Sequence, residues 1–133
     1  MILGIGLDLC QIERMERAIQ RPRFLERVFT PAERERILSS SGKRRSEIAA
    51  GIFAAKEAVS KALGTGFKSF FADAIEILPD ADGRPTCALT GGAKTRADSL
   101  CGGGCWRVWV SVTHENGFAA ANAILEGESL CFH

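Results

Sequence analysis

Long apolar runs are missing from this 133-residue chain. The longest apolar opening, Ile2 to Leu9, is interrupted by two glycines and Asp8, and it falls far short of the ~20 residues that span a bilayer. A basic leader and a small-residue cleavage pattern are also lacking, so no signal peptide is expected. The prediction is a soluble, cytoplasmic chain with no membrane partner. Histidine is scarce as well, with two residues in all. Cys101 and Cys105, which flank three glycines, therefore find no neighbouring Cys or His pair to complete a tetrahedral zinc site, and they read as loop thiols. Five cysteines cannot all pair within one chain, which favours a reducing compartment. There is no internal repeat, linker or low-complexity tract. Neither a phosphate-binding P-loop nor a dinucleotide fingerprint is present.

What is there is ordinary globular composition, 46% hydrophobic and 25% charged, which excludes a disordered or collagen-like chain. A chain of this length reads as one domain over residues 1–126 with a frayed tail at 127–133. Charge is uneven, although the net value is only +1. Between Cys10 and Arg45 ten Lys or Arg face five Glu, a local +5 that leaves −4 for the rest. Such a segment suits an acidic partner. Solvated helix faces carrying pairs such as Glu13–Arg17 explain it equally well. The run is not interleaved with stacking aromatics, so no nucleic-acid partner is expected.

Local signals predict an α+β fold in which a small antiparallel sheet packs against a long central helix. Residues 2–9 alternate as a strand, with Leu3, Ile5, Leu7 and Leu9 on one face and Gly4, Gly6 and Asp8 on the other. The bare glycine face admits close approach of a ligand or of another backbone. A short helix over 11–19 and a loop containing Pro22 follow. Thr30-Pro31-Ala32-Glu33 has the capping threonine, first-turn proline and returning glutamate of a helix start, and Ser39-Ser40-Ser41-Gly42 ends that helix. The strongest helical signal runs from Ser46 to Leu63 and closes at Gly64. Its apolar residues form two stripes, Ile48/Ile52/Val59/Leu63 and Ala50/Phe53/Ala54, as in a central helix. Strands over 74–78 and 85–89 flank an Asp80-Ala81-Asp82-Gly83 turn, and a helix spans 92–100. Strands over 106–113 and 118–125 flank Asn116-Gly117, which favours a type I′ turn.

Four polar residues interrupt otherwise apolar elements: Asp8, Glu57, Lys61 and His114. Glu57 and Lys61 are helical neighbours four apart and form either a rim salt bridge or part of a site. Asp8 and Glu57, drawn from separate elements, are the oxygen ligands a magnesium ion takes beside substrate phosphates. Gly64-Thr65-Gly66, one turn beyond Lys61, is expected to bring backbone N–H groups near phosphate.

Three segments together carry a family resemblance. Gly4-Ile5-Gly6-Leu7-Asp8 with Ile12 and Arg14, Phe53-Ala54-Ala55-Lys56-Glu57-Ala58 with Lys61-Ala62-Leu63-Gly64-Thr65-Gly66, and Ser111-Val112-Thr113-His114-Glu115 stand in the order and type of the holo-acyl-carrier-protein synthases. These are the small bacterial branch of the 4′-phosphopantetheinyl transferases, and the resemblance spans residues 2 to about 126. It implies that fold, and transfer of 4′-phosphopantetheine from coenzyme A to a serine of an acidic acyl carrier protein for fatty acid biosynthesis. Adenosine 3′,5′-bisphosphate is released. It also implies Mg²⁺ held by Asp8 and Glu57, and Glu57 as base, directly or through a metal-bound water. Lys61 meets the departing phosphate. Coenzyme A contacts fall on Lys43, Lys61, Gly64, Thr65, Gly66 and His114, carrier docking on Arg14, Arg21, Arg23 and Phe24, and the assembly is a homotrimer. The trimer also accounts for the two apolar stripes of the central helix, as would a well-covered monomer.

Two departures stand out. Ile52 replaces the arginine often found before the Phe, which weakens the 3′-phosphate pocket unless Arg44 or Arg45 substitutes. Thr113 replaces a serine and keeps its hydroxyl. The rival readings are a Mg²⁺-dependent phosphohydrolase acting through the same two carboxylates, and a non-catalytic adaptor gripping an acidic protein or nucleic acid through residues 14–45.

Overall fold

The computed structural model describes residues 1–67 and 70–128. Strand β1 (Ile2–Gln11) leads into α1 (Ile12–Ala18), α2 (Pro22–Val28), α3 (Pro31–Leu38) and the long α4 (Gly42–Ala62). A 3₁₀ turn at Ala72–Ala74, the hairpin β2 (Ile75–Pro79) and β3 (Pro85–Leu89), α5 (Gly91–Cys101), β4 (Trp106–Glu115) and β5 (Phe118–Gly127) complete the chain. The architecture is α+β, as expected. The strands divide between a three-stranded antiparallel sheet of order β1-β5-β4 and the separate β2–β3 hairpin.

Local chemistry explains most boundaries. Thr30 and Glu33 form the reciprocal capping box that starts α3. Asp80 Oδ1 accepts from the N–H groups of Asp82 and Arg84 and closes the β2–β3 turn. Asn116 and Gly117 both take positive φ, 52° and 81°, as a type I′ turn requires. Pro22 does not sit in a loop. It occupies the first turn of α2, where its missing N–H costs nothing. Helix α4 starts at Gly42, four residues before the predicted start, so Lys43 and Arg44 belong to its first turn. Strand β5 reaches Gly127 because Met1 pairs with it at both N–H and carbonyl. Glu128 donates to the Cys105 carbonyl, and the rest of the expected tail, 129–133, lies outside the described residues.

Helix α4 is the core. Ala50, Ala54, Ile52, Val59 and Leu63 are all buried within one chain, while Ile48 and Phe53, from the same two stripes, are half-buried. A continuous stripe of uncovered apolar surface is on the sheet. Ile5, Leu7 and Leu9 are 69, 68 and 62% exposed, while Gly4 and Gly6 turn inward against α4. A side chain at Gly6 would run into the Ala58 carbonyl, and one at Gly4 into that of Ala62. The glycines thus let the β1 backbone lie directly on the helix.

One buried charge pair ties the remaining layers to α4. Lys56 Nζ lies 2.7 Å from Glu33 Oε1, with both side chains fully buried. Lys56 also donates to the carbonyls of Ala72 and Ile75, and Glu33 accepts from the N–H groups of Thr30 and Ile77. Burial pushes the Glu33 carboxyl up and the Lys56 ammonium down, each opposed by the other's charge. Sequence inspection finds no role for Lys56, because a lysine beside Glu57 gives no sign of pointing into the core.

Candidate active site

Close contact of β1 with α4 brings Asp8, Glu57 and Lys61 together. Asp8 projects from the glycine face of β1, where its side chain is only 17% exposed. Lys61, in the last turn of α4, donates to Asp8 Oδ1 and to the Leu7 carbonyl, each at 3.0 Å. Of the two readings for Glu57 and Lys61, the rim ion pair is not formed, because a strand carboxylate lies within reach of the ammonium. Glu57 is half-buried one turn earlier. Burial, and then the negative charge of Asp8, raise its carboxyl above the ordinary range, and Lys61 partly offsets them. The like-charge coupling means the two carboxylates share one neighbourhood. Hard oxygen donors in electrostatic conflict suit a small divalent cation, which would relieve that conflict.

Downstream, Gly64 (φ 79°) and Gly66 (φ 57°) form the expected turn. Its amides are already committed. Gly64 N–H donates to the Lys61 carbonyl, and those of Thr65 and Gly66 donate to the Ser60 carbonyl. They satisfy the carbonyls left open at the end of α4.

Lys43 and His114 lie elsewhere, at the opposite end of α4. Both line a groove with Glu47, whose carboxylate is 3.6 Å from His114 Nδ1. Twenty-one residues separate Lys43 from Gly64, about 31 Å of helix at 1.5 Å per residue. On the other side of His114 a cleft is lined by Arg36, Arg44, Ile48, Ile52 and the β2–β3 turn with Gly83 and Pro85. Arg44 and Ile52 line the same cleft. Arg45 does not line it and donates to the Ser40 and Leu38 carbonyls at the end of α3. Arg36 and the hairpin turn were not among the sequence candidates, and no local signal marks them, since the cleft exists only where the hairpin meets α4.

Of the docking candidates, Arg14, Arg21 and Phe24 line one groove with Phe53 and Cys10. Arg23 falls in an adjoining apolar groove with Phe24, Phe67, Phe70 and Phe71. The Cys10 thiol, pushed up to about 11 by burial and by Asp8, stays protonated beside this groove. Among the described residues no helix is long and apolar enough to cross a membrane.

Comparison with known proteins agrees with this architecture. Residues 4–121 match the model of the 4′-phosphopantetheinyl transferase superfamily. A holo-[acyl-carrier-protein] synthase of Solidesulfovibrio magneticus is 46% identical over 130 residues, covering 96% of this chain and 100% of the relative. One of Clostridium perfringens is 45% identical over 130 residues, covering 96% of each. The crystal structure of a holo-(acyl-carrier-protein) synthase from Bacillus anthracis in complex with CoA (3′,5′-ADP) superposes with a TM-score of 0.79. It is 35% identical and covers 96% of this chain and 99% of that one.

Proposed function

The chain belongs to the 4′-phosphopantetheinyl transferase superfamily, among its holo-[acyl-carrier-protein] synthases, and from that premise we propose that it transfers 4′-phosphopantetheine from coenzyme A to a serine of an acidic acyl carrier protein. The observation that carries this reading is the convergence of Asp8, Glu57 and Lys61 where β1 crosses α4. Asp8 and Glu57 would hold Mg²⁺, which when bound neutralises charge on the pyrophosphate. Glu57 accepts the proton of the attacking serine, directly or through a metal-bound water. Lys61, oriented by Asp8 and the Leu7 carbonyl, meets the negative charge that builds on the leaving phosphate. Adenosine 3′,5′-bisphosphate departs. The cleft of Arg36, Arg44 and His114, apolar along Ile48 and Ile52, suits a base with an adjacent 3′-phosphate.

That cleft runs along α4 as far as Ile52, twelve positions and about 18 Å of helix before the Gly64 turn. In the proposed assembly a second copy of the chain completes the site, as the family resemblance implies. The exposed Ile5, Leu7 and Leu9 stripe, continued by Trp109 and Phe118, offers the apolar surface for that contact, and a trimer is the assembly we propose. Arg14, Arg21, Arg23 and Phe24 form a basic rim with an aromatic anchor, fit for an acidic carrier. The cytoplasm and fatty acid biosynthesis are the proposed setting.

The test is mass spectrometry of an apo-acyl carrier protein incubated with the chain, coenzyme A and Mg²⁺. A gain of one phosphopantetheine is expected, and it should be lost with chelator, with Asp8→Asn or with Glu57→Gln. Hydrolysis of coenzyme A without modification of the carrier would favour a phosphohydrolase. Carrier binding with no added mass, unchanged by chelator, would favour an adaptor.

A further inference from the structure

The Gly64-Thr65-Gly66 turn has spent its amides on the Ser60 and Lys61 carbonyls, yet it closes the helix that carries Glu57 and Lys61. A helix C-terminus also presents partial negative charge, which repels phosphate. Something must reverse the sign there if the pyrophosphate of coenzyme A is to dock beside Lys61. Arg96, from α5, is in position to do so. Its Nε donates to the Leu63 carbonyl at 2.9 Å, from a partly buried side chain. Its Nη2 lies only 3.4 Å from where a Cβ on Gly64 would be, so the guanidinium lies along the face of the turn that glycine leaves bare. Among the described residues no carboxylate pairs with it.

We propose that Arg96 is a coenzyme A-binding residue. It neutralises the last carbonyls of α4, fixes the Gly64 turn and presents its free Nη edge to the pyrophosphate, as a second cation beside Lys61. A planar fork serves both duties at once: Nε is used on the protein and the Nη pair remains for phosphate oxygens. This rests on the reading of function above and extends it to a residue outside the three segments that carry the family resemblance.

Steady-state kinetics of Arg96→Ala and Arg96→Lys, with calorimetric binding of coenzyme A to the same proteins, test the assignment. Loss of a charge-assisted contact predicts that Arg96→Ala raises KM and Kd for coenzyme A roughly tenfold or more. KM for the carrier should stay within about twofold, and Tm should fall by only a few degrees, as loss of the Leu63 carbonyl contact implies. Arg96→Lys keeps the charge and should recover part of the loss. The penalty should be the same with dephospho-coenzyme A, which retains the pyrophosphate and lacks the 3′-phosphate. Unchanged coenzyme A affinity in Arg96→Ala would overturn the proposal. So would a penalty that vanishes with dephospho-coenzyme A, or equal losses for both substrates tracking a fall in stability. Wild-type protein that binds coenzyme A but modifies no carrier would overturn the functional reading instead, while the calorimetric comparison still decides Arg96.

Discussion

A single methyl group added at Gly6 tests the link between fold and site. An ideal Cβ there would lie 1.8 Å from the Ala58 carbonyl oxygen, 2.8 Å from its carbon and 2.9 Å from the Ala62 nitrogen. All three are backbone atoms of α4, so no rotamer change relieves the clash. The helix and β1 must separate by more than 1 Å. Overpacking in a core costs ~1–3 kcal/mol when side chains give way, and a rigid 21-residue helix puts Gly6→Ala at the upper end, about 3 kcal/mol. For a chain of this size that corresponds to a Tm lowered by roughly 10 °C. Gly51→Ala is the internal control. Its Cβ would lie 3.2 Å from a Val112 methyl, a side-chain atom able to yield, and alanine favours the helix, so Tm should stay within about 3 °C. Separation of β1 from α4 also draws Asp8 away from Lys61 and Glu57. At a temperature where Gly6→Ala remains folded, kcat should fall by more than the unfolded fraction explains. Differential scanning calorimetry and single-temperature kinetics read both effects. A Gly6→Ala protein with wild-type Tm and kcat would refute the argument that this glycine sets the spacing of the site.

Three further outcomes follow from other parts of the molecule. Leu7→Asp places a charge in the exposed apolar stripe of β1, and sedimentation should then show monomer with activity lost, although the monomer core is untouched. Arg21→Glu, at a residue that lines both docking grooves, should raise KM for the carrier more than for coenzyme A and flatten its salt dependence; equal changes in both constants would place docking elsewhere. Glu33→Gln leaves the Lys56 ammonium buried without its carboxylate and should cost about 3–5 kcal/mol in chemical denaturation. The double variant Glu33→Gln/Lys56→Met should recover part of that loss, because it no longer buries a lone charge.

Much of this molecule is decided by short-range chemistry and was therefore legible along the chain. The Thr30–Glu33 box, the Asp80 and Asn116-Gly117 turns and the Gly64 stop involve atoms within a few residues of one another. Helix α2 was hidden because Pro22 is equally at home in a loop and in a first helical turn. The catalytic candidates stood out as charges on apolar elements, but their partners did not. Lys61 pairs with Asp8 across 53 positions rather than with Glu57 four away, and Lys56, next to Glu57, turns into the core toward Glu33.

Alternation alone determined that β1 has one apolar and one glycine face, that Asp8 shares a face with the glycines, and that a helix carrying Glu57 and Lys61 exists. Only the tertiary structure decided which face of β1 meets that helix. It chose the glycines, leaving Ile5, Leu7 and Leu9 exposed. Period-2 patterning separates two faces without ranking them. The ranking came from how closely two backbones can approach, and absent side chains permit the nearest approach.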